Sequence, residues 1–523
     1  MISSKASTGG RDRIDHIVVV GGGTAGWLMA SRLAAEFHTG EPLKRRITLL
    51  ESPDIATVGV GEGTWPSMLE TLRQIGLSEN EFIRECDVSF KQGSRFYNWV
   101  DGKGEHYDHP FTQPAEYGPV NLAEHWLSAG TEVPFAYAVS PQSAVCDEHR
   151  APKQPQTPEY AFNLNYGYHL NAGKFAGLLS RHSVERLGVH HILDEVVGVT
   201  SRENGDIETL QLKSGNTLGG DLFIDCTGMA SRLLGEHYQV PWVSCRDQLF
   251  NDAALAVQVP TADDAPLASQ TLSTAHSNGW IWDIGLPRRR GVGAVFSRSH
   301  ADEAAVHEVL ADYIKRSTPS VTLDELSPRL ITFDPGHREQ FWRHNCVAVG
   351  LSAGFIEPLE ATALVLVEQS ASILIEELPD TRAQMTVVAE RFNRKFARYW
   401  ESIIDFLKLH YALSNRRESA YWRDQVDPAS MPDSLRDLLL LWKTRTPWVC
   451  DSLYRYELFP SASYQYILYG MQPRWTGGDS IERRVRRSRM AAQKTFESVN
   501  VNVKRFRQGL PRNRDLLQRI SQK

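Results

Sequence analysis

No apolar run in the 523 residues approaches the roughly 20 that a membrane-spanning helix requires, so no membrane insertion is expected. Cysteine is sparse. The six (Cys86, Cys146, Cys226, Cys245, Cys346, Cys450) are scattered, with no C-x-x-C pair and no zinc-ligand spacing. This argues against a disulfide framework or a metal site and fits a reducing, cytoplasmic compartment. A large excess of either charge is also lacking: the net charge of −6 offers no bulk attraction to nucleic acid or to an anionic membrane. The opening residues MISSKASTGGRD are polar and carry no apolar stretch of the kind a secretory leader needs. There is no internal repeat and no low-complexity block. What remains is a large globular protein with length enough for a sizeable core. Two packed domains, or one domain with an elaboration, are expected.

The informative part begins at Ile14. Ile17-Val18-Val19-Val20 is an apolar, β-branched run that predicts a buried parallel strand. It leads into Gly21-Gly22-Gly23-Thr24-Ala25-Gly26, then a helical stretch from Leu28 to Phe37. Gly21, Gly23 and Gly26 hold the G-x-G-x-x-G positions. The first permits the tight turn, the second lets a pyrophosphate approach the backbone, and the third lets helix and sheet pack closely. The helix N-terminus, at Thr24 and Ala25, faces the phosphates. A second strand, Ile47-Thr48-Leu49-Leu50, ends at Glu51, where an acid accepts hydrogen bonds from the adenosine ribose. Strand, glycines, helix, strand and acid in that order are far more specific than the glycines alone.

Three later segments return to the same nucleotide. Val58-Gly59-Val60-Gly61-Glu62-Gly63-Thr64-Trp65-Pro66 is too rich in glycine for a regular helix and offers free amides to a flavin ring or a pyrophosphate. Leu222-Phe223-Ile224-Asp225, followed by Cys226-Thr227-Gly228, reads as a strand ending in a small-residue turn. So does Cys346-Val347-Ala348-Val349, followed by Gly350. Three returns suit FAD in a split α/β domain. Only one complete G-x-G-x-x-G unit is present, with no second unit for NAD(P)H, so a separate reductase is expected to deliver electrons.

Trp280 and Trp282 lie two apart in Gly279-Trp280-Ile281-Trp282-Asp283-Ile284-Gly285-Leu286-Pro287. In a strand both face one side. They form either an indole wall between flavin and substrate or ordinary core packing. Lys91 precedes Phe96, Tyr97 and Trp99. An amine among aromatic side chains is desolvated, which lowers its pKa and favours the neutral, nucleophilic form. The alternative is a surface lysine with its stem on an apolar patch. Pro358 followed by Leu359 through Gln369 predicts a helix start, with the amides of Thr362 and Ala363 in the first turn, where an anion is favoured. Glu357 and Glu360 then either complement the helix dipole or serve a site there.

Taken together, Gly21–Trp27, Ser89–Trp99, Trp280–Pro287 and Phe355–Ala363 resemble the flavin-dependent halogenases of the tryptophan-halogenase type. The resemblance runs from about residue 14 to 370 and more weakly to about 475. It implies an α/β fold with a split Rossmann-like FAD-binding domain, of the GR2-type flavin monooxygenase-like kind, and a helical, mostly C-terminal substrate-binding elaboration. The expected division is a flexible N-terminus at 1–13, the FAD-binding core with substrate-facing insertions at 14–375, and a mainly helical substrate-covering region at 376–523. The resemblance further implies a two-component enzyme, monomer or homodimer, with a separate flavin reductase supplying FADH2 and O2 as co-substrate. Chloride or bromide is held near the amides of Thr362 and Ala363. Hypohalous acid passes Trp280 and Trp282 to Lys91, which is either halogenated or holds the acid by a hydrogen bond. An electron-rich aromatic is then halogenated with Glu360 assisting. His109-Pro110-Phe111 matches a substrate-chamber segment, so His109, Phe111, Trp280 and Trp282 would flank the ring. A turn with a satisfied histidine is the plainer alternative.

The chain departs from the family pattern in places. Ala361 and Ala363 stand where the best-known members have Ser and Gly, and Gly285 is interposed before Leu286-Pro287. The stretch Ser463–Trp475, with Tyr464 and Tyr466, shows no acid that can be assigned to an amino-acid ammonium. A site without that ion pair binds free tryptophan poorly, so indole or another electron-rich aromatic without an amino-acid tail is expected. Two rivals remain: a flavin-dependent aromatic monooxygenase, which would not need Lys91, and a non-catalytic FAD-binding protein. Elsewhere, 112–165 reads as an irregular insertion and 190–222 as short strands and a hairpin. Residues 362–410 and 433–445 read as helices. Arg483, Arg484, Arg486, Arg487 and Arg489 read as a solvated helix face.

Overall fold

The computed structural model describes residues 13–38, 45–54, 61–452, 457–471 and 479–522. The β-branched run forms the strand His16–Val20, buried along its length as a central parallel strand requires. It pairs in parallel with Arg46–Glu51 on one side and Leu222–Asp225 on the other. His190–Leu193 and Cys346–Ala348 extend the sheet outward in parallel, and Trp342–Arg343 closes one edge antiparallel. The two later segments expected to return to the nucleotide are thus adjacent strands of one sheet. Their C-terminal ends meet the glycine turn at the crevice where open α/β sheets bind ligands. The helix Thr24–Phe37 packs between Ala172–Glu185 and Thr362–Glu377.

A second sheet carries the tryptophans. Its strands run Arg329–Thr332, Ala253–Pro260, Arg289–Phe296, Gly279–Gly285, Thr271–His276, Gly93–Tyr97, His106–Pro110. Neighbours are antiparallel except Thr271–His276 with Gly93–Tyr97. Alternation along Gly279–Gly285 turns Ile281 toward the helix Glu303–Ser317, where it joins Val306, Leu310 and Ile314. Trp280 and Trp282 face the other way, into the main core. A small antiparallel sheet of Gly61–Gly63, Gly167–Asn171 and Ser89–Lys91 sets Lys91 beside the segment that follows the second strand of the nucleotide sheet.

From Arg382 onward the regular elements among the described residues are helices, the longest being Arg382–Ala412 and Asp479–Gly509. One continuous apolar core joins them to both large sheets. The helical stretch 362–410 is interrupted at Leu378-Pro379, because proline has no amide to carry the ladder across. Residues 112–165 are not wholly irregular. They contain the short helices Leu122–Ala129, Phe135–Val139 and Gln142–Cys146. Pro134 and Pro141 immediately precede two of these, where the missing N–H breaks no helical bond. The five arginines of the tail are exposed, as expected, with Arg484 pairing to Glu124 at 2.7 Å. No described helix is long and apolar enough to cross a membrane.

Candidate active site

The glycine turn is built for a close ligand. At Gly21 (φ +119) a β-carbon would stand 2.2 Å from the carbonyl oxygen of Cys226, and at Gly26 it would stand 1.9 Å from that of Gly21. At Gly23, by contrast, it would meet nothing within 4 Å. This is the open approach a pyrophosphate requires, and Thr24 and Ala25 present the first amides of the helix there. Glu51 ends its strand with its carboxylate against Gly22 and 3.0 Å from Nε2 of His191. Gly228 also opens onto free space, while Gly350 packs against Ala25. These features fit a dinucleotide such as FAD.

Asp225 is engaged by its own turn. Its carboxylate accepts the amide and hydroxyl of Thr227 and the amides of Leu233 and Leu234. The acid shapes its own turn rather than reaching outward. Val60 lies outside the described residues. Gly61 sits against Ile284 and Gly291. Glu62 has a buried Oε2 with no partner among the described residues, and burial pushes its carboxyl up to about 7.

Lys91 ends the strand Ser89–Lys91 and is 1% exposed, which overturns the surface-lysine alternative. Its ammonium lies 5.2 Å from the centre of the Phe111 ring. A β-carbon on Gly63 would be 3.1 Å from Nζ of Lys91 and 3.4 Å from the methyl of Ala361. Gly63 therefore marks where the amine, the Glu360–Ala361 turn and the nucleotide-side strand converge. Burial lowers the amine to about 8, with Glu360 opposing.

The expected helix start at Pro358 is displaced. Glu360 (φ 66) and Ala361 (φ 56) both adopt left-handed backbone, and the helix begins only at Thr362. The amides of Thr362 and Ala363 still lie in the first turn of a 16-residue helix. Oε1 of Glu360 is 2.9 Å from Nδ1 of His109 and 3.4 Å from Nε2 of His410. The second contact is too poorly aligned for a hydrogen bond, since Nε2 of His410 has none among the described residues. Burial opposes ionisation of Glu360, but the histidines outweigh it and hold the carboxyl far below its usual range. Each histidine is fixed at its far side. Nε2 of His109 is 2.9 Å from Oγ of Ser463, and Nδ1 of His410 is 2.8 Å from the Tyr107 hydroxyl.

Trp280 and Trp282 form the expected pair, with ring centres 6.4 Å apart. Trp280 donates to Oε2 of Glu357 at 2.6 Å, and Tyr411 and Asn251 donate to the same oxygen at 2.7 Å each. Tyr466 packs 6.0 Å from His109 and donates its hydroxyl to the Thr112 carbonyl. Tyr464 packs against Phe406 and Trp442 instead, at 5.0 and 5.1 Å.

Beside this geometry, the tryptophan halogenase family model matches residues 16–478. The chain belongs to that family. It is 34% identical to a tryptophan 6-halogenase of Streptomyces toxytricini over 480 residues, 87% of this chain and 89% of that one. A solved tryptophan halogenase from Shewanella frigidimarina NCIMB 400 superposes with a TM-score of 0.93 at 46% identity, covering 98% of each chain. A flavin-dependent halogenase from Brevundimonas sp. BAL3 gives a TM-score of 0.84 at 32% identity, over 97% of this chain and 99% of that one. The protein is thus a flavin-dependent halogenase of the α/β fold, an enzyme that uses FADH2, halide and O2 to halogenate an aromatic.

Within this halogenase the structure brings Lys91, Phe111, His109 and Glu360 together. It adds four residues to which the sequence assigned no individual role: Trp65, Tyr107, His410 and Ser463. His410 sits one turn from Phe406 on a buried helix face, so its pattern is that of core. A histidine on an otherwise apolar stripe was the one available signal.

Proposed function

We propose that this enzyme halogenates indole, or another electron-rich aromatic without a required amino-acid tail, with Lys91 as halogen carrier and Glu360 as the proton-accepting carboxylate. The observation that carries this reading is the burial of Lys91, its basicity lowered, between Phe111 and the Glu360 turn. When bound, FADH2 with O2 supplies the oxidising power that converts chloride or bromide to hypohalous acid. The amides of Thr362 and Ala363, unpaired at a helix N-terminus, hold the halide. Trp280 and Trp282, both buried, form the wall past which the hypohalous acid moves and limit water there. Lys91 takes up the hypohalous acid through an N–H hydrogen bond or an N–halogen bond. Glu360, held ionised, accepts the ring proton as the carbon–halogen bond forms. On the hydrogen-bonded route that proton joins the hydroxide left by the hypohalous acid to give water; on the N–halogen route, where water has already formed with a proton from the amine, it returns to the Lys91 nitrogen.

Two features support a substrate without an amino-acid tail. The hydroxyl of Tyr466 is engaged by the Thr112 carbonyl, and Tyr464 packs against Phe406 and Trp442. A single glycine-turn nucleotide unit favours a separate flavin reductase as the source of FADH2.

The test is turnover with a flavin reductase, FAD, NADH and O2, with bromide and chloride in parallel, on indole, tryptophan and phenols, read by mass spectrometry. Halogenated indole in preference to tryptophan, abolished in Lys91→Ala, is the expected result. A product that gains oxygen without halogen, and survives Lys91→Ala, would replace this reading with a monooxygenase.

A further inference from the structure

Trp65 is joined to the catalytic turn by one hydrogen bond. Its indole Nε1–H donates to the backbone carbonyl of Glu360 at 2.7 Å. That carbonyl belongs to the first of two consecutive non-glycine residues in left-handed backbone, Glu360 and Ala361. Such a conformation is unfavourable for a residue with a β-carbon and persists only where its surroundings fix it. The Ala361 amide also donates to the Pro358 carbonyl at 3.1 Å.

Two functional features depend on this strained peptide. One is the side chain of Glu360, aimed at His109. The other is the first turn of the helix that follows, with the amides of Thr362 and Ala363. Trp65 is itself well placed to hold them. It follows the strand Gly61–Gly63, whose last residue lies against Lys91 and Ala361. Its ring rests edge-on against Phe459 at 4.9 Å. Phe459 in turn stacks on Phe406 at 3.8 Å.

We propose that Trp65 is a positioning residue for halogenation. Its indole N–H latches the Glu360–Ala361 turn and thereby sets both the halide-facing amides and the proton-accepting carboxylate. The inference rests on the reading above, in which Thr362 and Ala363 hold halide and Lys91 carries halogen.

Trp65→Phe keeps an aromatic ring against Phe459 and removes only the N–H. Trp65→His returns a ring N–H close to the same position. The measurements are kcat, the KM for bromide and for indole, and hydrogen–deuterium exchange of peptides covering residues 355–366 in the FAD-loaded protein. In Trp65→Phe the bromide KM rises about tenfold, the scale of one buried hydrogen bond. The indole KM stays within about twofold, as for an interaction that does not touch the aromatic. Exchange at 355–366 quickens, and Trp65→His moves both readouts back toward wild type. Unchanged bromide KM and exchange in Trp65→Phe would overturn the latch, as would bromide and indole KM rising together, the mark of general loosening. Lys91→Ala, run alongside, separates the two levels. If Lys91→Ala still halogenates, the underlying reading fails; if it is inactive while Trp65→Phe behaves as wild type, only the latch fails.

Discussion

Nδ1 of His109 and Nε2 of His410 address the same carboxylate oxygen, Oε1 of Glu360, at 2.9 and 3.4 Å. One oxygen is thereby fixed by the protein, and the other, Oε2, has no described side-chain donor.

Replacing His109 by Phe tests that division. Burial alone pushes the Glu360 carboxyl up, and His109 is the largest influence holding it down. A carboxyl with a depressed folded pKa stabilises the protein above its unfolded pKa, and that stability is lost as pH falls through the folded value. Without His109 that stabilisation shrinks, and the folded carboxylate takes up its proton at higher pH. The acid limb of the bromination rate in His109→Phe is expected to move up by about one unit or more. A limb that stays in place would show that His109 does not govern Glu360.

Lys91→Met should be more stable than wild type near neutral pH. Burial lowers the amine from 10.5 to about 8, a shift worth about 3 kcal/mol. Below about 8 both folded and unfolded chains carry the proton, and the burial penalty is present in full. Between about 8 and 10.5 the folded chain has released a proton that the unfolded chain still binds, so wild type gains stability. Denaturant unfolding is expected to show an advantage for Met at pH 7 that narrows across this window. A Met variant less stable at pH 7 would mean the ammonium is well solvated in the folded protein.

The nucleotide half was legible because its chemistry is local. Gly21, Gly23 and Gly26 lie within one turn, and each spacing has a steric reason that the structure repeats. The tryptophan pair was legible because strand alternation alone puts Trp280 and Trp282 on one face. The break at Glu360 and Ala361 was not, since left-handed backbone at a glutamate and an alanine leaves no glycine to mark it. Trp65 and Glu360 are 295 residues apart, and no local pattern couples them. The same holds for His109 with Ser463, 354 residues apart.

Gly23 and Gly26 should separate binding from folding. A side chain at Gly23 meets open space in the protein, whereas one at Gly26 runs into the Gly21 carbonyl. Gly23→Val is expected to fold with a near-wild-type melting temperature but to bind FAD at least about a hundredfold more weakly, because the phosphate approach is filled. Gly26→Val should be poorly folded, a helix–sheet clash being among the more damaging changes. Flavin fluorescence titration and thermal unfolding together check both. Normal FAD affinity in Gly23→Val would place the phosphates elsewhere.

Trp280 is expected to matter to stability. Its indole is one of three donors on Oε2 of Glu357, while Oε1 is buried with no partner among the described residues. Burial pushes the Glu357 carboxyl up, and the Trp280 bond is the leading influence against it. Trp280→Phe keeps a ring on the wall but withdraws that donor, at a cost of about 1–3 kcal/mol when the carboxylate is ionised. An acid whose folded pKa is raised destabilises the fold above its unfolded pKa and carries no such penalty once it is protonated in both states. The stability lost in Trp280→Phe should therefore be largest where Glu357 is ionised in the folded protein and shrink as pH falls through its raised folded pKa, above the usual carboxylate range. Urea unfolding of both proteins at several pH values reads this directly. A deficit independent of pH would assign the loss to packing of the indole against Trp99 and Trp282 rather than to Glu357.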